Sequence, residues 1–581
     1  MRVVTVPLGI PARLSCAVAV ACLLGGHSAL AFIVSEPDNP SVVTNAPEPT
    51  DADLRNQLQM HSGFGATGAG GGWTFVPTVS LQEAFTDNLL DTTNNRRWDL
   101  LTILTPSIAI TGDTPNAQVL FEYGPQFRLA ARTPQEDSIS NQLLGSGLFT
   151  IVPDEFFVDA RAVAGATPAN GGYGSFGAGL APSFGSFGSP LTSLNSSGNT
   201  ALSNQNLVQV NSYSISPYWL HDFGDLGTAR IGYQLSESSI SPAGSYIPVF
   251  FPTGHNSSSN LINEGYAQFD TGNYFGDIQY HAEADAQIGN GTGFQGNSQQ
   301  YYVLNRLTYV LNREFSVFGE IGYENLTYGG TPTTRIDDAI WGFGTTWTPN
   351  PDSRITIAVR NRYGDTNVDF NGSYQLTART QIGASYTTGV QSNLQGFQNQ
   401  LNQATVTPTG QTVNSVTGAP LLVGTNGLGV QAGVFRVKAF NANVTTVLDR
   451  DQFTAWLQIS ESTTEAAAPV GTNFTSNVSA PPVGSTSTAR SVFGNWTHQI
   501  SEDLTLSSAA SFSTFRTSGS SNQQSWAVSI GIQYLISQTL AATASYSFYD
   551  YLTPTRGFFV PSGQNQSYYQ NLVIVGLTKQ F

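Results

Sequence analysis

The sequence predicts an all-β fold, a transmembrane antiparallel up-and-down β-barrel of about 22 strands, with about 18 to 24 as the range. Three observations predict it. Apolar residues recur at every second position over ten or more residues, which is the length of a tilted membrane strand. Only 11% of the residues are charged, against about 25% in soluble domains. Short and long connections alternate along the chain, as they do when one rim of a barrel faces the periplasm.

The N-terminus predicts a secretory signal peptide over residues 1–31. Two arginines flank the start of the chain before the apolar run 14–24, and Ala29-Leu30-Ala31 supplies an A-x-A cleavage site. A membrane anchor is the alternative, but the apolar run is short for a bilayer span. Both cysteines lie within this segment, so the predicted mature chain has no disulfide and no cysteine ligand for a metal.

Residues 32–72 differ in composition from the rest of the chain. The stretch 37–49 is rich in proline and acidic residues, and 63–72 is mostly glycine, alanine and threonine. Such a composition predicts a flexible periplasmic leader. It is either a plain linker or a segment that docks a periplasmic partner. The predicted barrel then covers residues 73–581.

Two predicted strands show the alternation clearly. Residues 526–536 place large apolar side chains at the even positions, and residues 280–288 place Tyr280 and alanines opposite His281, Glu283 and Asp285. Long polar connections separate pairs of strands. They run over residues 167–206, 241–259, 289–298, 392–433, 464–486 and 553–567. A β-helix is the competing fold, but it would show a fixed repeat period, which the chain lacks.

The C-terminal strand, residues 568–581, ends on Phe581. A closing strand with a terminal aromatic residue resembles the end of bacterial outer-membrane barrels, where the barrel-assembly machinery is expected to bind it. This predicts the outer membrane of a Gram-negative bacterium as the location, with outer-membrane lipid and lipopolysaccharide as surroundings. Phe581 is the predicted assembly signal.

Residues 73–165 resemble a group of outer-membrane β-barrel porins associated with exopolysaccharide and PEP-CTERM (exosortase) systems. The matching stretches are Trp73-Thr74-Phe75-Val76-Pro77, Glu83-Ala84-Phe85-Thr86-Asp87-Asn88, Trp98-Asp99-Leu100-Leu101-Thr102 and Glu122-Tyr123-Gly124-Pro125. The resemblance implies a large barrel with short periplasmic turns and no known enzymatic activity. A role in polysaccharide traffic follows only by association.

If the apolar positions face lipid, the remaining charged positions line the lumen and set its selectivity. The predicted lumen-lining residues are Arg128, Arg132, Asp159, Arg161, Arg230, Glu283, Asp285, Arg306, Glu320, Glu324, Arg354, Arg360, Arg362, Arg436 and Lys438. Arg354, Arg360 and Arg362 share one strand. They either attract anions as a ladder or pair with carboxylates of neighbouring strands and stiffen the wall.

The sequence does not predict a metal site, an active site or a nucleic-acid-binding surface. His281, Glu283 and Asp285 share a strand face, but neighbours on one face lie about 7 Å apart, so no metal site or cofactor is predicted. No spacing supports a catalytic triad, and no enzyme is predicted. The formal net charge of −16 argues against nucleic-acid binding. The Gly- and aromatic-rich stretch 165–198 is either an exposed loop or a constriction in the lumen.

The resulting functional expectation is a porin-like outer-membrane channel for passive passage of small or oligomeric polar solutes. Two alternatives stay open. One is a subunit of an exopolysaccharide secretion system that binds partners through residues 32–72. The other is a non-conducting barrel whose loops bind surface ligands.

Overall fold

The computed structural model describes residues 72–168, 207–242, 258–291, 297–329, 332–402, 404–406, 412–414, 433–467, 483–518, 522–552 and 567–581. The predicted signal peptide and nearly all of the predicted leader lie outside these residues, as does most of the Gly-rich stretch 165–198. Among the helices in the described part of the chain, none is long and apolar enough to cross a membrane.

In the described part of the chain, twenty-two antiparallel strands form one closed sheet. They are β1 Trp73–Thr86, β2 Asp99–Thr114, β3 Ala117–Ala130, β4 Ser138–Val152, β5 Phe156–Pro168, β6 Leu207–Asp222, β7 Gly227–Pro242, β8 Ser258–Thr271, β9 Ile278–Gly291, β10 Ser298–Val310, β11 Phe315–Tyr328, β12 Thr334–Asn350, β13 Ser353–Arg362, β14 Asp365–Thr377, β15 Thr380–Ser392, β18 Gly433–Val447, β19 Asp451–Ala467, β20 Thr486–Gln499, β21 Leu504–Thr517, β22 Gln523–Ser537, β23 Leu540–Leu552 and β24 Tyr568–Gln580. Between β15 and β18 lie helix α1, Asn393–Asn402, and the short hairpin of β16, Ala404–Val406, and β17, Thr412–Asn414. Short 3-10 turns occupy Pro134–Glu136, Gly224–Leu226 and Asn273–Phe275.

The first and last strands close the ring. β1 pairs with β24 in antiparallel register from Thr78↔Gln580 to Thr86↔Leu572. Closure satisfies the edge groups that an open sheet would expose to lipid. β1 begins and β24 ends at the rim that carries the short turns, which we call the periplasmic rim. The predicted fold class and strand number are confirmed.

The two faces of the wall differ in polarity, as the alternation predicts. In β22, Trp526, Val528 and Ile530 are each about half exposed on the outer surface, where lipid covers a membrane barrel. In β9, Glu283 and Asp285 face inward and are buried. Aromatic rings stack near the periplasmic ends of the strands, for example Phe315 on Trp347, as in an interfacial girdle. The chain is therefore a protein of the outer membrane.

One part of the wall departs from a simple barrel near the extracellular rim. β14 pairs with β15 only as far as Phe370↔Tyr386, so the outer end of β15 separates from β14. There Tyr328 of β11 donates a hydrogen bond to the carbonyl of Val390 at 2.8 Å, four strands away. Val390 and Val434 join an apolar cluster with inward-facing residues of β10 to β12. The ends of β15 and β18 therefore bend into the barrel and cover part of its inner surface.

The loop between β1 and β2 fastens the seam between β1 and β24. The backbone N–H of Asn571 donates to Asp87 Oδ1 at 2.8 Å, and the Asn571 side-chain amide donates to Asp87 Oδ2 at 2.7 Å. Asn88 Nδ2 donates to the carbonyl of Tyr569 at 3.1 Å. Arg96 pairs with Asp87, and its guanidinium lies 3.7 Å from the centre of the Tyr569 ring. We call these five residues the seam clasp. The Thr86-Asp87-Asn88 stretch therefore stabilises the seam between β1 and β24 at the extracellular rim.

A second acidic residue of this loop, Asp91, has a buried carboxylate oxygen. Burial raises the pKa of Asp91 well above its ordinary value, and the carboxylate of Glu136 adds to the shift. Asp91 Oδ1 is buried without a hydrogen-bond partner. A raised pKa in the folded state means that the fold is favoured at low pH and loses stability as the pH rises from about 4 through the folded pKa.

Asp91→Asn is therefore expected to raise the unfolding temperature at pH 7 and to flatten its pH dependence above pH 4, because the amide removes the buried titration. Asp91 has φ of 51°, a conformation that asparagine tolerates well. Asp154→Asn is the matched control, since Asp154 has φ of 62° in an exposed periplasmic turn. Equal stabilisation by both variants would assign the effect to the backbone and contradict the account.

Candidate functional site: the lumen wall and helix α1

A row of paired charges runs across the inner face of five adjacent strands, β10 to β14. Arg306 of β10 donates to Glu320 of β11 at 2.7 Å. Arg360 of β13 donates through Nη2 to the same carboxylate at 2.9 Å, and its Nη1 lies 3.3 Å from Asp369 of β14. All four side chains are buried. Charge-assisted pairs of this kind are strong when both partners are held in place.

Gly342 makes this row geometrically feasible. In the strand register it lies between the two partners, with Glu320↔Gly342 and Gly342↔Arg360. A Cβ at this position would lie 2.9 Å from Arg360 Cγ and 3.0 Å from Glu320 Oε2. Arg360 therefore reaches over β12 because β12 has no side chain there.

Gly342→Ala is expected to lower the free energy of unfolding by about 1–3 kcal/mol, the usual cost of overpacking a fitted site. The measurement is urea unfolding of the barrel in lipid vesicles. Gly319→Ala on β11 is the control, because a Cβ there would meet nothing nearer than a carbonyl at 4.0 Å. Equal effects of the two substitutions would show that the gap at Gly342 is not needed by the charged row.

A second set of contacts lies nearer the extracellular rim. Tyr302 of β10 donates its hydroxyl proton to Glu283. Arg362 Nε lies 3.7 Å from Glu324, and its guanidinium lies 5.3 Å from the centre of the Tyr302 ring. Nearer the periplasmic rim, His281 Nδ1 lies 2.7 Å from Asp270. The inner face of β8 to β14 is thus a connected network of carboxylates, arginines and a tyrosine.

Two carboxylates of this wall stay outside the network. Glu264 and Asp285 are 1% and 5% exposed, and all four of their carboxylate oxygens are buried without a side-chain hydrogen-bond partner. Tyr266 pairs with Asp285 in the register of β8 and β9, so Glu264 lies diagonally across from Asp285 on the same face. An unpaired buried carboxylate is costly, so this pair marks a place where the wall is incomplete by itself.

Helix α1 lies inside the barrel. It follows β15 directly and packs against β5 to β8, although β15 and β6 are nine strands apart around the ring. Gln398 Oε1 accepts hydrogen bonds from Ser238 of β7 at 3.0 Å and from Ser212 of β6 at 3.3 Å. Gln395 donates to Gln287 of β9 at 3.1 Å. The helix therefore crosses the lumen a few residues inside the extracellular ends of these strands.

Most of the predicted lumen residues lie on the inner face. Those on inward-facing positions of regular strands are Arg128, Asp159, Arg161, Arg230, Glu283, Asp285, Arg306, Glu320, Glu324, Arg354, Arg360 and Arg362. Several arginines are paired: Arg161 lies 3.0 Å from Asp159, and Arg306 and Arg360 pair with Glu320. For these, the pairing interpretation describes the geometry better than a free anion ladder.

Arg132 was predicted to face the lumen and does not. It lies beyond the end of β3, exposed, with its guanidinium 4.0 Å from the centre of the Trp98 ring. Trp98 contacts the outward-facing Phe85, so Arg132 lies at the outer surface of the extracellular rim. The prediction was wrong because β3 ends at Ala130, and the alternation cannot be extended past the end of a strand.

Arg436 and Lys438 lie inside the barrel for a reason that the alternation does not give. They share a strand face with Val444, which is exposed on the outer surface. Because β15 and β18 bend inward, this face instead contacts the β13–β14 hairpin. Arg436 donates to the carbonyl of Tyr363 at 2.9 Å, and Lys438 lies 3.5 Å from Asp365. These two cations brace the bend rather than facing open lumen.

Sequence reasoning missed α1, although a signal for it was present. Leu394, Phe397 and Leu401 are spaced as one face of a helix, within a connection that was interpreted as a long polar loop. All three are buried.

Within the described ranges, no group of three or more His, Cys, Asp or Glu side chains is arranged to hold a metal ion.

Phe581 is 73% exposed at the periplasmic rim, where its N–H donates to the carbonyl of Pro77 at 3.0 Å. Its role in assembly stays a prediction.

The fold and the wall define an outer-membrane β-barrel with a charged lumen that a helix crosses. No protein-family model matches the sequence, and a search of curated proteins found no relative. Solved structures with a similar fold include the FrpB iron transporter from Neisseria meningitidis, at 11% identity and a TM-score of 0.47, covering 91% of this chain and 84% of that one. The ferric-catecholate import receptor Fiu from Escherichia coli, in its closed form, matches at 11% identity and a TM-score of 0.44, covering 87% of this chain and 81% of that one.

The copper transporter OprC matches at 9% identity and a TM-score of 0.42, covering 88% of this chain and 81% of that one. These similarities concern the overall architecture of the barrel, and nothing about solutes is concluded from them. The predicted outer-membrane β-barrel is thus confirmed by the closed sheet itself. Its membership of the exopolysaccharide-associated porin group stays a prediction.

Proposed function

We propose that the protein is an outer-membrane channel through which small polar solutes pass passively. The observation that carries the proposal is the polarity of the inner wall. Charged, amide and hydroxyl side chains occupy the inward positions of the strands, while the outward positions are apolar. A wall of this kind suits an aqueous path with a transverse field, in which acidic and basic groups select solutes.

Helix α1 supports a narrow channel rather than a wide one. A barrel of 22 strands is broad enough to leave an aqueous lumen unless internal elements fill it. α1 and the bent ends of β15 and β18 occupy part of that space near the extracellular rim. Small solutes therefore fit the geometry better than oligomeric ones, which narrows the expectation from the sequence.

The experiment is solute entry into proteoliposomes that contain the refolded protein, followed by osmotic swelling. Amino acids and monosaccharides are expected to enter, and long maltodextrins are expected to enter far more slowly. A barrel that circular dichroism shows to be folded, but that admits none of these solutes, would contradict the proposal and favour a non-conducting barrel. Deleting residues 32–72 adds a control. A free-standing channel keeps its swelling rate, whereas a secretion subunit loses a periplasmic partner.

A further inference from the structure

The charge balance of the lumen wall is uneven around Glu264 and Asp285. The nearby arginines already have partners, since Arg306 and Arg360 are paired with Glu320 and Arg362 lies against Glu324. In the register of β8 to β10, no basic side chain lies directly opposite Glu264 or Asp285, whose partners are Gln234, Gln287, Tyr266 and Tyr302. The register therefore places no basic side chain against this pair of carboxylates.

Uncharged side chains around the pair independently favour a bound ion or water at this place. Gln234, Glu264, Gln287 and Gln300 form one row across β7 to β10. Gln234 and Gln300 are 4% and 2% exposed, and their amide nitrogens have no hydrogen-bond partner. These polar groups are adjacent yet do not bond to one another. Buried groups in this state need water or an ion between them.

Helix α1 lies directly over this row. Gln395 of α1 donates to Gln287, which pairs with Glu264 in the register. The pair is thus at the level where α1 narrows the lumen, so a solute that passes beneath the helix passes these carboxylates. A cation is favoured there by Coulomb attraction that low local polarity strengthens.

We propose that Glu264 and Asp285 hold a partly hydrated cation beneath α1, and that small cations are the solute class that the channel favours. The second part of this inference, that the channel favours small cations, rests on the proposed channel function. Two carboxylates with flanking amides do not supply the ligand set of a structural metal site. They suit an ion that keeps part of its water and exchanges with the lumen.

The first test measures the reversal potential of single channels in a KCl gradient for the native protein and for Glu264→Gln and Asp285→Asn. The native channel is expected to prefer K⁺ over Cl⁻, and each substitution is expected to lower the permeability ratio severalfold. Asp154→Asn is the control, because it removes one carboxylate from an exposed periplasmic turn outside the lumen wall. The control should move the ratio far less.

A channel that conducts without cation preference, or whose preference responds equally to all three substitutions, would overturn the inference and leave the channel function standing. A folded barrel without conductance would overturn the channel function instead. The second measurement then decides on the site. The unfolding temperature is compared in KCl and in N-methylglucamine chloride at equal ionic strength, since a ligand bound to the native state stabilises it. K⁺ is expected to stabilise the native protein and not Glu264→Gln; equal responses would overturn the site.

Discussion

Replacing Asp87 by alanine is expected to lower the free energy of unfolding by about 3 kcal/mol and to weaken closure of the barrel. The substitution removes two hydrogen bonds from Asn571 and the ion pair with Arg96. Hydrogen bonds to charged groups contribute about 1.5–3 kcal/mol each, and partial exposure of this carboxylate reduces their sum. Because β1–β24 is the only pairing that closes the ring of described strands, a loss there opens a sheet edge to lipid.

The measurement is urea unfolding in lipid vesicles, with the heat-dependent mobility of the folded barrel in gels as a second readout. Asp449→Ala is the control, since Asp449 forms an ion pair with Arg379 at 2.8 Å but is 83% exposed. Exposed pairs contribute about 0–1 kcal/mol. If Asp87→Ala is no more destabilising than Asp449→Ala, the seam clasp does not hold the barrel closed.

The clasp also predicts a pH dependence opposite in sign to that of Asp91. Burial alone would raise the pKa of Asp87, but hydrogen bonds from Asn571 and the charge of Arg96 outweigh it and lower the pKa. A depressed folded pKa means stability that is present above the unfolded pKa of about 4 and is lost as the pH falls through the folded pKa. The difference between native protein and Asp87→Ala should therefore shrink below pH 4. A constant difference would show that the charge of Asp87 contributes nothing.

Replacing α1, residues 393–402, by a Gly/Ser linker of equal length is expected to raise the single-channel conductance severalfold. The helix crosses the lumen and is held on the far wall by Gln398 and Gln395, so its removal widens the lumen at the level that the helix crosses. Long maltodextrins should then enter proteoliposomes faster.

The control for this variant replaces residues 471–480, which lie between β19 and β20 in the sequence, by the same linker. Its conductance should stay close to the native value. Unchanged conductance after loss of α1 would show that the helix does not limit flow. Equal increases in both variants would assign the effect to the extracellular loops in general.

Local pattern predicted much of this fold, because the side-chain period of a strand is a local property. The outward series of β22 and the inward positions of Glu283 and Asp285 on β9 follow from alternation alone. The paired state of Arg360 does not. It depends on the register that places Gly342 between Arg360 and Glu320, and register across three strands is set by contacts remote in sequence.

The positions of the residues around the inward bend also depend on contacts remote in sequence. Arg436 and Lys438 carry the parity of lipid-facing residues, and only the separation of β15 from β14 brings them inside. No local pattern in β18 encodes that separation. α1 is a different case, since the spacing of Leu394, Phe397 and Leu401 is a local helical signal. It was obscured by the polar residues around it and by the length of the connection.

The most direct test of the account is the single-channel conductance of the refolded mature protein in a planar bilayer. Small, steady conductance steps with a preference for cations are expected, because α1 narrows the lumen and the Glu264–Asp285 pair is proposed to hold a cation there. A folded barrel that never conducts would contradict the channel function. Large conductance steps that stay unchanged when α1 is replaced by the linker would contradict the proposal that α1 narrows the lumen.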